Sequence, residues 1–272
     1  TVTITVEDVN ETPVFTTDPD DALTIDENSR KTAPVGSPIT ATDVDAGQTL
    51  RYSVPPTQDD FSIDSKTGQI TVLNAVLNYE AQSTYLLEVT VRDNGTPVQS
   101  ADLLVTIALN DINEHPVADF AGSQVSIDEN VVGGVIDTLQ ASDPDADSRL
   151  AFNLIDASAL FTLDSIGTLK TKSALNFEEK DSHVLSVRVC DDGYPGAGDD
   201  LCVEGDVTVH VNDVNEHPVM NDAVRDVDEN SIKLTRVGDI IPASDVDFGQ
   251  LLMFEITSGN DDGLFQIGAC SG

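Results

Sequence analysis

The heptapeptide Asp8-Val-Asn-Glu-Thr-Pro-Val14 recurs as Asp111-Ile-Asn-Glu-His-Pro-Val117 and again as Asp213-Val-Asn-Glu-His-Pro-Val219. The copies lie about 100 residues apart, a period that marks a modular array rather than one large domain. The fold must therefore be read one module at a time, with the heptapeptide falling where one module hands over to the next. On this reading residues 1–13 hold the C-terminal strand of a preceding module, 14–115 and 116–217 are complete modules, and 218–272 are the N-terminal half of a further one. The sequence shows no initiator Met, leader or apolar run able to cross a bilayer, as expected of an excerpt from a longer protein.

Alternation defines the strands. In Thr84-Tyr-Leu-Leu-Glu-Val-Thr-Val-Arg92 the side chains of Tyr85, Leu87, Val89 and Val91 share one face, as do His183, Leu185, Val187 and Val189 in the second module. A period of two predicts half-buried strands. Leu103–Leu109 and Val207–Val211 alternate likewise and run into the heptapeptide. Shorter strands are expected near Leu23–Asp26, Ile39–Thr42, Leu50–Val54, Phe61–Ile63 and Gln69–Val72, with counterparts near Val125–Asp128, Val135–Ala141, Leu150–Leu154, Phe161–Leu163 and Thr168–Lys170. Asn94-Gly95 and Asp192-Gly193 supply turns before the last strand. This pattern predicts an all-β fold of tandem seven-stranded Greek-key β-sandwich modules in a linear array. Cys190 and Cys202 flank a loop joining two strands; a local disulfide and a pair of free thiols both fit that placement, and Cys270 has no visible partner.

The charge is extreme, with 13 Lys and Arg against 49 Asp and Glu and a formal net charge of −36. Nucleic acid is excluded as a partner, because phosphate binding needs a basic surface. Disorder, the simplest consequence of such acidity, conflicts with 39% apolar residues placed in alternating runs. The acids instead recur in register. Asp26-Glu27-Asn28 matches Asp128-Glu129-Asn130 and Asp228-Glu229-Asn230; Asp43-Val-Asp45 matches Asp143-Pro-Asp145 and Asp245-Val-Asp247; Asn78-Tyr-Glu80 matches Asn176-Phe-Glu178; and Asp93-Asn-Gly95 matches Asp191-Asp-Gly193. A sandwich collects such elements at the module ends, with few Lys or Arg to neutralise them. Two unpaired carboxylates about 4 Å apart repel by roughly 4 kcal/mol at an effective dielectric of 20, and a hard divalent cation reverses that sign. Calcium suits the set, since it takes oxygens from carboxylates, amides and carbonyls in loose geometry. Magnesium prefers stricter geometry, and zinc would want His or Cys.

Taken together, in this order, these elements resemble a tandem array of cadherin repeats. The resemblance covers both complete modules and both flanking segments and implies calcium bound at each junction between repeats. The first complete junction would draw on Glu27, Asn78 and Glu80, on Asn113, Glu114 and the backbone carbonyl of His115 in the linker, and on Asp143, Asp145 and Asp191. The second would draw on Glu129, Asn176, Glu178, Asn215, Glu216, the carbonyl of His217, Asp245 and Asp247. Asn10, Glu11, Asp43, Asp45 and Asp93 would form the N-terminal seam, and Glu229 is the last segment's counterpart of Glu27. Three features depart from the family pattern. The linker carries Glu in place of Asp, it is one residue shorter before Pro, and Asn78 and Asn176 stand where the family has Asp. These changes predict weaker or fewer ions per seam, with dissociation constants of about 10⁻⁴–10⁻³ M.

The resemblance implies an extracellular, calcium-rigidified ectodomain segment for cell adhesion or cell-surface recognition. Its partners would be other cadherin-type ectodomains or cell-surface proteins, homophilic or heterophilic, and its parent would be membrane-anchored. The alternative is a calcium-stabilised spacer in a large secreted or surface protein. No catalytic motif is present: there is no Gly-x-Ser-x-Gly, no phosphate-cradling Gly-rich loop and no His-Glu-x-x-His. Asn94-Gly-Thr96 is a glycosylation sequon in an exposed turn, whereas a glycan at Asn10 would compete with the metal.

Overall fold

A computed structural model of the chain describes residues 1–74, 77–195 and 200–269, so Cys270 lies outside the described residues. It contains two compact units. The first comprises Thr1–Pro116, Asp143–Leu150 and Cys190–Cys202; the second comprises Val117–Ser142, Ala151–Val189 and Val203–Gly272. The described residues form strands and turns without a helix.

In the first unit the strands are β1 (Val14–Phe15), β2 (Leu23–Asp26), β3 (Pro34–Val35), β4 (Ala41–Thr42), β5 (Arg51–Ser53), β6 (Phe61–Ile63), β7 (Ile70–Val72), β8 (Thr84–Arg92) and β9 (Ser100–Asn110). They build a four-stranded sheet in the order β2-β9-β8-β5, a three-stranded sheet β3-β7-β6 and the pair β1-β4. The alternation in β8 is realised: Leu87, Val89 and Val91 are buried, Tyr85 is half-buried, and Leu86 and Glu88 face out. They pack against Val35, Ile39, Phe61, Ile70, Leu77 and Ile107. Each such side chain contributes about 1.5–3 kcal/mol by leaving water. Tyr85 meets Phe61 edge-on at 5.2 Å between ring centroids.

One pairing positions the functional end of the sandwich. β2 runs parallel to β9, in register from Leu23 opposite Ile107 to Asp26 opposite Asn110. The first and last long strands therefore finish side by side. Glu27 emerges next to Asp111, where the heptapeptide begins, and the Glu27 amide donates to the Asn110 carbonyl at 3.1 Å.

The second repeat follows the same plan with β10 (Ser123–Asp128), β11 (Val135–Thr138), β12 (Ala151–Leu154), β13 (Phe161–Leu163), β14 (Thr168–Thr171), β15 (Ser182–Cys190) and β16 (Cys202–Asn212). The sheets are β10-β16-β15-β12 and β11-β14-β13, and β10 is parallel to β16 with Asp128 opposite Asn212. Its core includes Phe120, Phe152, Phe161, Leu169, Val187, Val189 and Val209. His183 takes the place of Tyr85 against Phe161, at 5.2 Å, and burial pushes its pKa down, as suits a boundary residue of the core. Cys190 and Cys202 are disulfide-bonded.

One expectation changes in the flanking segments. Residues 1–13 carry no strand, and Val2, Ile4 and Val6 are exposed despite their alternation. Among residues 218–269 the strands are β17 (Val219–Met220) and β18 (Ala243–Ser244), paired with each other, and Phe248, Leu251 and Met253 lie exposed. An alternating segment acquires a buried face only against partner strands.

Candidate metal centres at the linkers

Glu27 is 3% exposed and Glu129 is 2% exposed. Each is clamped by two backbone amides. Glu27 Oε2 accepts from Tyr79 N at 2.8 Å and Oε1 from Ile112 N at 2.9 Å. Glu129 accepts from Phe177 N and Val214 N, both at 2.9 Å. The carboxylate thus ties the linker to the Leu-Asn-aromatic-Glu turn. The next residue, Asn28 or Asn130, has φ of 54° or 64°, a left-handed conformation that Asn tolerates. Its side-chain amide reaches the linker: Asn28 Nδ2 donates to Glu114 Oε1 at 2.6 Å, and Asn130 Nδ2 likewise to Glu216 Oε1.

The linker then meets the Asp-x-Asp loop. The amides of Glu11, Glu114 and Glu216 donate to Oδ2 of Asp45, Asp145 and Asp247 at 2.9, 2.8 and 2.9 Å. Asp43, Asp143 and Asp245 each accept the amide of the second aspartate of their own pair. Asp93 and Asp191 are buried, each held by amides of its own turn. Asn10 Nδ2 donates to Asp93 at 2.8 Å, and Asn113 Nδ2 to Asp191 at a longer 3.4 Å.

Four acid triplets result, each with its ligand atoms within 4.8 Å of one another: Glu27, Glu80 and Asp111; Glu80, Glu114 and Asp145; Glu129, Glu178 and Asp213; and Glu178, Glu216 and Asp247. Among the described residues the salt bridge is the exposed pair Arg188–Glu204, so no cationic side chain neutralises these triplets. The crowding shows in their proton affinity. Asp111 is pushed up to about 6, first by burial and then by the charges of Asp145, Glu80 and Glu27. Burial also raises Glu80 and Glu114, with like charges adding to it, and the bond from Asn28 offsets part of the rise at Glu114. Asp213 and Glu216 shift upward in the same way. At Asp93 burial acts upward too, but hydrogen bonds from Gln99, Asn10 and Gly95 hold it below the ordinary carboxylate range.

The donors fit a hard cation. Asp111 Oδ1, Asn113 Oδ1, Glu114 Oε2, Asp143 Oδ2 and Asp145 Oδ1 are buried without a hydrogen-bond partner, as are Glu216 Oε2 and Asp247 Oδ1. Buried acceptors are ordinarily paired, so unpartnered oxygens on neighbouring motifs are chemically suited to a hard cation.

Asp111 and Asp213 were not among the residues expected to ligate. The available signal was their place as first residue of the repeated heptapeptide. Several expected residues sit differently. Asn78 Oδ1 accepts from Ala81 N at 2.6 Å and Asn176 Oδ1 from Glu179 N at 2.8 Å, so each caps its own turn with one lone pair of that oxygen. Glu229 is exposed and belongs to none of the four triplets. His115 and His217 are exposed, and Asn94 is exposed with Oδ1 accepting from Thr49 N.

Residues 21–110 match the cadherin domain model. Over 253 residues the chain is 34% identical to the mouse cadherin EGF LAG seven-pass G-type receptor 2, covering 86% of this chain and 8% of that protein. The chain belongs to the cadherin family. Mouse protocadherin Fat 4 is 31% identical over 291 residues, covering 99% of this cadherin chain and 6% of Fat 4. The crystal structure of mouse cadherin-23 EC22-24 superposes with a TM-score of 0.66 at 26% identity, covering 89% of this chain and 80% of that one. The cadherin repeats here thus span only 5% to 8% of the length of the curated relatives they match.

Proposed function

We propose that this cadherin segment binds calcium at its linkers and serves an extracellular, cell-surface role in adhesion or recognition rather than catalysis. The observation that carries the calcium reading is the set of unpartnered buried oxygens on Asn113, Glu114, Asp143 and Asp145, repeated on Glu216 and Asp247. Calcium would supply the positive charge that these oxygens lack and accept them in a loose coordination shell.

The protein's own part is orientation. Glu27 and Glu129 each accept one amide hydrogen bond from the linker and one from the Leu-Asn-aromatic-Glu turn, Asn28 and Asn130 hold one oxygen of the linker glutamate, and Asp145 and Asp247 grip the amide of that glutamate. Ligands for one ion then come from both ends of the linker, and filling them locks the linker's conformation. The partners of the parent protein would be other cadherin-type ectodomains or cell-surface proteins, and the parent would be membrane-anchored, as membership of the cadherin family suggests. Calorimetric titration tests the core of the proposal. Uptake of at least one calcium per complete junction at millimolar calcium is expected, and no heat of binding at that concentration would end it.

A further inference from the structure

Five positions after the first aspartate of each Asp-x-Asp loop, the three junctions differ. The residue is Gln48 after Asp43, Ser148 after Asp143 and Gln250 after Asp245. One contact is common to all three, since each second aspartate grips the amide of its linker glutamate; among the described residues the acid triplets accompany it at the Ser148 and Gln250 junctions.

The glutamines occupy the oxygens of that frame. Gln48 Nε2 donates to Asn10 Oδ1 and, at 3.0 Å, to Asp45 Oδ2. Gln250 Nε2 donates to Asn215 Oδ1 at 2.7 Å and to Asp247 Oδ2 at 2.9 Å. At Ser148 the bridge is missing. Asn113 Oδ1 is buried with no hydrogen-bond partner, whereas its counterparts on Asn10 and Asn215 accept from the glutamines; Oδ1 of the second aspartate is unpartnered on Asp145 and Asp247 alike. A single short hydroxyl carries one proton and cannot span both groups as a carboxamide does.

A carboxamide NH2 and a calcium ion seek the same thing, oxygen lone pairs. We propose that the residue at this position ranks the junctions by calcium affinity: the Ser148 junction fills first, while Gln48 and Gln250 act as neutral stand-ins that the ion must displace. The inference rests on the calcium reading above and goes beyond it by making the junctions unequal. Losing a hydrogen bond to a charged acceptor corresponds to about a tenfold loss of affinity. If the glutamine instead turned Oε1 toward the ion as an extra ligand, replacing it would weaken binding, so the sign of the effect decides between the two.

The test follows the side-chain amide NMR signals of Asn10, Asn113 and Asn215 in the full chain during calcium titration, because each reports its own junction. The Asn113 signal is expected to reach its midpoint at about tenfold lower calcium than the other two. Ser148→Gln should move the Asn113 midpoint up to theirs, and Gln48→Ser should move the Asn10 midpoint down by a similar factor. Coincident midpoints in the wild type, or a Gln48→Ser midpoint that rises or stays fixed, would overturn the proposal. Absence of any calcium response at all three asparagines would instead refute the calcium reading itself.

Discussion

The backbone amide of Glu114 donates to Asp145 Oδ2 at 2.8 Å, while Oδ1 of the same carboxylate is buried with no partner. One carboxylate thus holds the linker with one oxygen and offers the other to the acid triplet it shares with Glu80 and Glu114. Glu216 and Asp247 repeat the arrangement at 2.9 Å.

Replacing Asp145 separates these two tasks. Asp145→Asn keeps an oxygen for the Glu114 amide and removes one negative charge from the cluster. The thermal midpoint in EDTA should therefore rise, while the gain on adding calcium should shrink. In the wild type, calcium at tens of times its dissociation constant should add about 2 kcal/mol per site. Melting curves with and without EDTA check both signs, and a parallel fall in both conditions would contradict this assignment.

Glu27 predicts a different pattern, because its oxygens are already occupied by Tyr79 N and Ile112 N. Glu27→Ala leaves two amides without acceptors at a buried position. It should cost about 2–4 kcal/mol in urea unfolding even without calcium. Equal stability of variant and wild type in EDTA would show that the clamp contributes nothing to the fold.

Acidification should stabilise the calcium-free protein and weaken calcium binding in the same window. Asp111 titrates near 6 in the folded chain against an ordinary value of 3.8, so the folded state holds more protons between those limits. Stability from this group is present below about pH 4 and is lost as pH rises through 6. Glu80 and Glu114 shift in the same direction. Carboxylates shifted the other way, such as Asp64 and Asp164, exert their effect below the ordinary carboxylate range and leave the interval from pH 5 to 7 undisturbed. The midpoint in EDTA should be higher at pH 5 than at pH 7, and calorimetry should show weaker calcium binding at the lower pH.

The Cys190–Cys202 bond closes a short loop with a sequence separation of 12. Its removal should release loop entropy in the unfolded chain and lower stability by about 2–3 kcal/mol. Urea unfolding of the Cys190→Ser, Cys202→Ser double variant, compared with wild type, measures this. A midpoint unchanged by the double substitution would show that the hairpin is held by β15–β16 pairing alone.

Much of the fold was legible because its causes are local. Leu87, Val89 and Val91 announce a buried face by spacing alone, and the heptapeptide announces the module period. The strand expected in residues 1–13 is absent for a non-local reason. Val2, Ile4 and Val6 alternate as well as any strand, yet no partner strand covers them. The position of the acids at module ends was also readable, but their division of labour was not. Glu27 and Glu80 look alike as glutamates in recurring motifs, and only the fold shows that Glu27 is buried and doubly bonded while Glu80 lies open in two triplets.

The sequence by itself determined the repeat, the strand faces, the acidic seams and the family resemblance, since each depends on the order and spacing of neighbouring residues. Tertiary structure alone decided which oxygens converge. Asp111 joins Glu27 because β2 and β9 lie parallel in register, and Asn78 turns its oxygen to the amide of Ala81 in its own turn. Such outcomes depend on pairings between residues about 85 positions apart, where the loop entropy of closure must be overcome by the packing of the whole sandwich.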